Sequence, residues 1–169
     1  MLTIRPAERG DLDALTEIYN HEILHSTATF ELEPYTPQGR LPWLCAHNVD
    51  NHPLLVAELG GRVCGYASLS TYRPYAAYRE AVELSVYVAG DARGKGMGTA
   101  LMEAILAQAR EREDIHTVIS VITADNERSI RLHERFGFVH CGRMREMGVK
   151  FGRRLDIVNM QLVVARPDC

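Results

Sequence analysis

Long apolar runs are absent from this sequence of 169 residues, and its first ten residues, MLTIRPAERG, already include charged side chains. A secretory signal needs an apolar core of about 7 to 15 residues, and a membrane-spanning helix needs about 20. Neither can be placed on this chain. We therefore expect a cytoplasmic protein that does not enter a membrane.

Cysteine is scarce, and charge of one sign is not in large excess. With a net charge of -3, nucleic acid and anionic membranes are not expected as main partners. Repeats and low-complexity segments are also absent, so we expect a single domain, 1–169. The cysteines are widely spaced, with no C-x-x-C pair, which predicts buried free thiols rather than a metal or redox site; they are Cys45, Cys64, Cys141 and Cys169.

Apolar spacing predicts strands and helices along the whole chain. Asp11 is a candidate N-cap before an apolar stripe at helical spacing, and Gly60-Gly61 between two strand-like runs predicts a hairpin. This pattern is typical of an α+β fold or a mixed sheet with helices on both faces. In chain order we predict a strand at LTIR, a helix ending in HEILH, a helix near 37–47, the hairpin, a strand at VELSVYV, a helix at TALMEAILAQARER, a strand at HTVISVI, a helix at NERSIRLHERF, and strands at FVHCGRMRE and RRLDIVNMQLVV.

A glycine-rich turn, GDARGKGMG, joins a predicted strand to a predicted helix. It is not a P-loop, because no Lys there is followed by Ser or Thr, and its glycines do not give the dinucleotide pattern G-x-G-x-x-G. Backbone N-H groups at such a helix N-terminus bind phosphate, and Arg93 and Lys95 add positive charge. The alternative is a tight turn with solvated charges.

The stretch from Arg93 to Gly98 resembles the R/Q-x-x-G-x-G/A signature of the GNAT superfamily of N-acetyltransferases. NERSIRLHERFGF, which begins at Asn126, resembles the second motif of that superfamily. IYNHEILHSTATFE, YRPYAAYREAVELSVYV and KFGRRLDIVNMQL are similar to the phosphinothricin and methionine sulfone/sulfoximine N-acetyltransferase branch. This resemblance, from about Ile4 to Leu162, implies the GNAT acyl-CoA N-acyltransferase fold, with a central mixed, mostly antiparallel sheet and helices on both faces.

The resemblance also implies acetyl-CoA as cosubstrate, no metal, and a homodimer. Strand backbone would pair with the pantetheine arm, the glycine-rich turn would hold the pyrophosphate, and the second motif would contact the cofactor. The implied cofactor-binding residues are Val86, Tyr87, Val88, Arg93, Gly94, Lys95, Gly96, Met97, Gly98, Thr99, Asn126 and Ser129.

Acetyl transfer requires the amine to lose a proton, and a half-buried carboxylate is the expected base. Glu83 stands where the resemblance places the catalytic acidic residue, and strand alternation puts it on one face with Ser85 and Tyr87. The alternative is that Glu83 is a charged residue at the start of a strand. His133 occupies the place of a Tyr that protonates the departing thiolate in many members, so it is a candidate general acid or a binding residue.

The acceptors implied by the resemblance are small amino acid analogues: phosphinothricin, methionine sulfone and methionine sulfoximine. Arg73 is the candidate for holding their carboxylate, and Tyr75, Tyr78 and Phe30 are candidate aromatic walls. The alternatives are an ordinary loop charge and tyrosines that only pack. Another amine acceptor, such as a protein N-terminus or a polyamine, and a non-catalytic acyl-CoA-binding module are the alternative functions.

HEILH, from His21 to His25, also fits the H-E-x-x-H pattern of zinc proteases, with Glu22 as general base. A catalytic zinc needs a third protein ligand and an open position for water. The other histidines are scattered, and the resemblance places HEILH beside the substrate pocket. We therefore expect no metal.

Overall fold

The computed structural model describes residues 1–164, and a seven-stranded sheet runs through them in the order β1-β2-β3-β4-β5-β7-β6. The β4–β5 pair is parallel and the other neighbouring pairs are antiparallel. This confirms the predicted mixed, mostly antiparallel sheet. The strands are β1 (Leu2–Pro6), β2 (Leu54–Leu59), β3 (Arg62–Thr71), β4 (Ala81–Val88), β5 (Thr117–Thr123), β6 (Val139–Lys150) and β7 (Arg153–Val163), and the helices are α1 (Leu12–His25), α2 (Pro37–Cys45), α3 (Met97–Glu111) and α4 (Glu127–Arg135).

Helices cover both faces of the sheet, as predicted, because strand residues alternate between the two faces. In β2, Leu55 and Ala57 pack toward α3, whereas Leu54 and Val56 pack toward α1 and α2. The apolar stripe of α3 is fully buried in the larger core. These two layers leave the C-terminal half of β4 between them, where the candidate site forms.

The two N-terminal helices begin where the sequence predicts. The Thr36 hydroxyl caps α2 by accepting a hydrogen bond from the Gly39 N-H at 3.0 Å, and Pro37 occupies the first turn. Asp11 precedes α1, but its carboxylate bonds the Arg5 guanidinium at 2.8 Å and the Glu8 N-H at 2.8 Å. Asp11 is therefore correctly placed, while its side chain does not cap α1.

The hairpin at Gly60-Gly61 is confirmed, and β6 is longer than predicted, while β7 ends one residue earlier than predicted. β6 continues to Lys150 and pairs with β7 around a turn at Phe151 and Gly152, both with positive φ. β6 forms one edge of the sheet. No helix within residues 1–164 is both long and apolar enough to cross a membrane.

The expectation of buried thiols is wrong for two of the cysteines. Cys64 is buried in β3, but Cys45 and Cys141 are exposed. Cys45 ends α2, and Cys141 lies on the edge strand β6, so neither faces a core. Cys169 lies outside the described residues.

Candidate active site

β4 and β5 pair only where both strands begin. The registered pairs end at Glu83 with Ile119, whereas β4 continues to Val88 and stays paired to β3. Within the described chain, the backbone of residues 84–88 therefore has no strand partner on its β5 side. An extended ligand can add to such an open edge by backbone hydrogen bonds.

A cavity of about 900 Å³ opens where these strands separate. The end of β4, the glycine-rich turn and the N-terminal ends of α3 and α4 form its walls. All the residues predicted to bind cofactor line this cavity except Lys95, which is exposed outside it. The structure thus brings the two sequence motifs to one cleft.

The glycine-rich turn exposes its backbone toward this cleft. Gly94 and Gly96 have φ of +77° and +81°, a left-handed conformation that side chains disfavour, and a Cβ on either would meet no protein atom within 4 Å. α3 starts at Met97, and the first N-H groups of a helix have no intrahelical acceptor. The turn can therefore hold a pyrophosphate with backbone donors at the positive end of a helix dipole.

Arg93 turns its guanidinium back toward α1. Its Nε donates to the Val88 carbonyl at 3.1 Å, and its Nη2 pairs with Glu22 Oε1. Glu22 is buried, and its other carboxylate oxygen accepts a hydrogen bond from the Ser26 hydroxyl at 2.6 Å. The pair fixes the glycine-rich turn to α1. Glu22 neutralises the positive charge of Arg93. For anion binding, the backbone N-H groups of the turn are therefore more important than the Arg93 side chain.

The contact with Arg93 gives Glu22 of HEILH a structural partner. His21 and His25 lie beside each other with ring centroids 4.8 Å apart, while Glu22 faces the cleft. In the part of the chain that the structure describes, no group of three or more His, Cys, Asp and Glu side chains is placed to hold a metal ion. The third ligand that a catalytic zinc requires is not found there.

Chelator treatment is expected to leave the acetyl-transfer activity that the sequence resemblance implies unchanged, and His21→Ala should leave kcat within about twofold of wild type, because neither histidine holds a required metal. Metal analysis of the purified protein, together with activity before and after dialysis against EDTA, checks this. One zinc per chain, lost together with activity in His21→Ala, would reverse this interpretation.

Glu83 lies half-buried on the face of β4 that looks toward α1 and α2, opposite Ser70 of β3. Burial raises the pKa of the Glu83 carboxyl, and the nearby charge of Arg73 lowers it in part. A carboxylate with a raised pKa is a stronger base than an exposed one. Glu83 is therefore suited to accept a proton from an amine.

A second pocket, of about 190 Å³, lies on this face of the sheet. Ser70 and Ser85 line it beside Glu83, and Tyr87 lines both this pocket and the large cleft. The two cavities therefore meet at β4. The pocket wall consists of aromatic rings, serines and two charged groups, contributed by Tyr19, Glu31, Tyr35, Gly39, Arg40, Trp43, Tyr66, Ser68, Ser70, Ser85 and Tyr87.

The residues predicted for the acceptor lie at the edge of this region and do not line the second pocket. Arg73, Tyr75 and Tyr78 are exposed in the β3–β4 connection, where Tyr75 and Tyr78 have ring centroids 6.5 Å apart. Phe30 covers Gly148, where an added Cβ would overlap its ring. Arg73 alone acts on Glu83 electrostatically.

His133 is 3% exposed and does not line the cleft. Its Nδ1 lies 2.7 Å from the Ser129 carbonyl, and its ring packs edge-on against Phe138 with centroids 4.9 Å apart. Burial lowers the pKa of His133. The imidazole therefore contacts Ser129, which lines the cleft, without lining the cleft itself.

Asn126 and Ser129 both line the cleft, and Asn126 also has a local structural role. Its side-chain oxygen accepts a hydrogen bond from the Ser129 N-H at 3.2 Å, which caps α4. The amide nitrogen of the same side chain remains a possible donor to a ligand. The cap therefore explains part of the second motif without any cofactor.

Known proteins with similar sequences and folds agree with this geometry. Residues 13–138 match the model of the acetyltransferase (GNAT) family. A phosphinothricin N-acetyltransferase of Streptomyces coelicolor is 45% identical over 91% of both chains, and an L-methionine sulfoximine/L-methionine sulfone acetyltransferase of Salmonella typhimurium is 41% identical over 99% of both. A Salmonella typhimurium structure with its cofactor acetyl-CoA superposes with a TM-score of 0.94 at 39% identity, covering 100% of this chain and 97% of the other.

Proposed function

Since the chain belongs to the acetyltransferase (GNAT) family, we propose that it transfers the acetyl group of acetyl-CoA to the α-amino group of small amino acid analogues. The proposed acceptors are phosphinothricin, methionine sulfone and methionine sulfoximine. Two relatives that match nearly along their whole length are named as acetyltransferases of these compounds. The observation that carries the proposal is that Tyr87 of β4 lines both cavities, while Glu83, which lines neither, lies four residues earlier on the same face of the strand.

The large cleft is proposed to hold acetyl-CoA, which supplies an activated acetyl thioester. The open edge of residues 84–88 orients its extended arm, and the glycine-rich turn binds its pyrophosphate. A backbone N-H of that edge is also placed to polarise the thioester oxygen. Asn126 and Ser129 contact the cofactor from α4.

The amine approaches from the second pocket, on the other side of β4. Glu83, directly or through water, accepts a proton from the ammonium form, and the free amine nitrogen then bonds the acetyl carbon as the carbon–sulfur bond breaks. The new amide nitrogen releases its extra proton to solvent, and the departing thiolate takes up a proton from solvent to give the thiol of CoA. The thiol of CoA has a pKa near that of a cysteine, about 8.5, so the thiolate can leave without an obligatory acid. His133 is therefore not included in the proposed mechanism.

Direct transfer, without an acetylated enzyme, fits the residues around the two cavities. No cysteine lines either cavity among the described residues. The carboxylate of Glu83 is assigned to proton transfer. The Ser70 hydroxyl bonds His47 Nε2 at 2.9 Å, but Nδ1 of that ring bonds the Trp43 carbonyl and not the carboxylate that completes a nucleophile-activating triad. Acetyl-CoA and the amine are thus expected to be bound together when transfer occurs.

We further propose that residues 1–169 act as one catalytic domain within a homodimer. β6 is an edge strand, and its exposed apolar side chains leave a surface that a second copy can cover. These side chains are Val139, Met144, Met147 and Val149. The mass of the purified protein in solution, measured by light scattering, tests this.

Arg73→Ala is expected to raise the acceptor KM about 10-fold or more, since a hydrogen bond to a charged group is worth about 1.5 to 3 kcal/mol. The KM for acetyl-CoA should not change. The acid limb of the kcat/KM profile should also move to higher pH, because Arg73 lowers the pKa of Glu83 and its loss lets that pKa rise. Acceptor-dependent release of CoA measures both effects with methionine sulfone and phosphinothricin.

The matched control is Arg79→Ala, which removes an exposed arginine from the same connection. It should leave the acceptor KM and the acid limb near their wild-type values. Equal KM increases in both variants would show that the acceptor responds to the positive charge of the loop in general and not to a specific contact with Arg73. That result would remove Arg73 from acceptor binding and leave the acetyltransferase activity itself unaffected.

A further inference from the structure

Arg40 is a buried cation in the wall of the second pocket. Its side chain comes from α2, and the residue is 4% exposed. The guanidinium carbon lies 3.9 Å from the centroid of the Tyr19 ring and 4.1 Å from that of Trp43. The two aromatic rings hold the guanidinium in place and partly offset its loss of water.

No carboxylate neutralises this cation. Arg40 takes part in none of the ion pairs formed among residues 1–164. Its Nη2 donates to the Tyr66 hydroxyl at 2.8 Å, and its Nε has no acceptor. Glu31 reaches the same pocket, but it is exposed and accepts a hydrogen bond from the Tyr35 hydroxyl at 2.9 Å. A buried charge without a partner is unfavourable, which favours a ligand that brings acceptor oxygens.

Hydroxyl groups complete a polar wall next to Arg40. Ser68 and Ser85 face each other across the β3–β4 register, and Ser70 faces Glu83. All three serines line the pocket. The pocket therefore offers one fixed cation and several hydroxyl donors, a set suited to a compact group with two or more oxygens.

The position of Glu83 decides which end of the acceptor meets Arg40. The amine must lie at Glu83, and the α-carboxylate is attached to the carbon that bears the amine. The carboxylate therefore stays near Glu83, within reach of Arg73, whose charge acts on Glu83. The far end of the side chain is several bonds away, and it extends into the pocket toward Arg40.

From this geometry we infer that Arg40 is a specificity-determining residue, which binds the oxygen-bearing tetrahedral end of the acceptor side chain: the sulfone, the sulfoximine or the phosphinate. Ser68 and Ser85 assist it as hydroxyl donors, whereas the Ser70 hydroxyl donates to His47 Nε2 at 2.9 Å. The inference rests on the proposed function and assigns the two ends of the acceptor to two different arginines. An acceptor without side-chain oxygens leaves Arg40 without a partner and is transferred more slowly.

Paired acceptors that differ only at sulfur test the inference. In the wild type, kcat/KM for L-methionine sulfone should exceed that for L-methionine by about 10-fold or more, because the sulfide leaves the buried donors unpaired. Arg40→Met keeps the side-chain volume and removes the charge, so it should lose most of this preference by raising the KM for the sulfone. Arg40→Lys should recover part of it, and the KM for acetyl-CoA should stay within about twofold in both.

Arg73→Ala serves as the matched comparison, since both acceptors carry the same α-carboxylate. It should weaken both equally and leave their ratio unchanged. An equal loss on sulfone and sulfide in Arg40→Met, with a lower Tm, would overturn the inference by giving Arg40 a packing role only. A wild type that turns over both acceptors equally would also overturn it, without any variant. Failure of the wild type to use either acceptor would instead contradict the proposed function.

Discussion

Glu83→Gln is expected to lower kcat by about 100-fold or more, while the KM for acetyl-CoA changes little. The amide keeps the shape of the side chain but cannot accept the proton of the amine. The Glu83 carboxylate lines neither the large cleft nor the glycine-rich turn, so cofactor binding should persist. Initial rates of CoA release at saturating methionine sulfone measure the loss.

The pH profile separates a base from a charge that only orients substrate. Activity needs the deprotonated carboxylate, and burial raises the pKa of Glu83 above its ordinary value, so wild-type kcat/KM should fall with decreasing pH already above the usual glutamate range. That limb should disappear in Glu83→Gln. Glu80→Gln, at an exposed position in the connection before β4, should keep wild-type turnover and the limb. Unaltered turnover of Glu83→Gln across pH would remove Glu83 from the mechanism.

Gly96→Val is expected to raise the KM for acetyl-CoA by about 10-fold or more and to leave the acceptor KM nearly unchanged. A Cβ at position 96 would meet no protein atom within 4 Å, and Gly96 lines the cleft, so the added side chain would compete with the proposed pyrophosphate for this space. The left-handed φ of +81° adds strain for a β-branched residue, on the order of 1 to 2 kcal/mol. Equilibrium binding of acetyl-CoA to the folded variant, followed by calorimetry, gives the affinity directly.

Gly61→Val separates this strain from the loss of binding. Gly61 has φ of +80° and open space around its Cβ, but it lies in the β2–β3 hairpin and does not line the cleft. Both variants should lower Tm to a similar extent, and only Gly96→Val should weaken acetyl-CoA binding. Normal acetyl-CoA affinity in a folded Gly96→Val protein would refute the assignment of the glycine-rich turn.

Local patterns were sufficient to predict the elements and the cofactor cleft. Helical spacing after Asp11, the Gly60-Gly61 turn and the strand alternation at Glu83 depend on near neighbours in sequence, and each has a definite geometric consequence. The glycine-rich turn is also local, because its backbone conformation follows from Gly94 and Gly96. The assignment of residues to the cofactor, in contrast, came from the family resemblance and not from local spacing.

The contacts that shape the two cavities are partly long-range, and the sequence does not show them. Glu22 pairs with Arg93, 71 positions away, and its apparent role in a zinc motif hid this. In the sequence, Arg40 has no feature that distinguishes it from an exposed polar helix residue. In the structure, the Tyr19 and Trp43 rings enclose its guanidinium. Of the predicted walls, Tyr75 and Tyr78 belong to the β3–β4 connection and Phe30 to the segment after α1, whereas the pocket combines α1, α2, β3 and β4.

The most direct test of the central claim is the acceptor preference of the wild-type enzyme. Acetyl-CoA turnover should be measured at fixed enzyme concentration with methionine sulfone, phosphinothricin, spermidine and a peptide with a free N-terminus. The kcat/KM values for the two amino acid analogues should be at least about 10-fold higher than those for spermidine or the peptide. Faster turnover of spermidine or the peptide than of either analogue would contradict the substrate assignment.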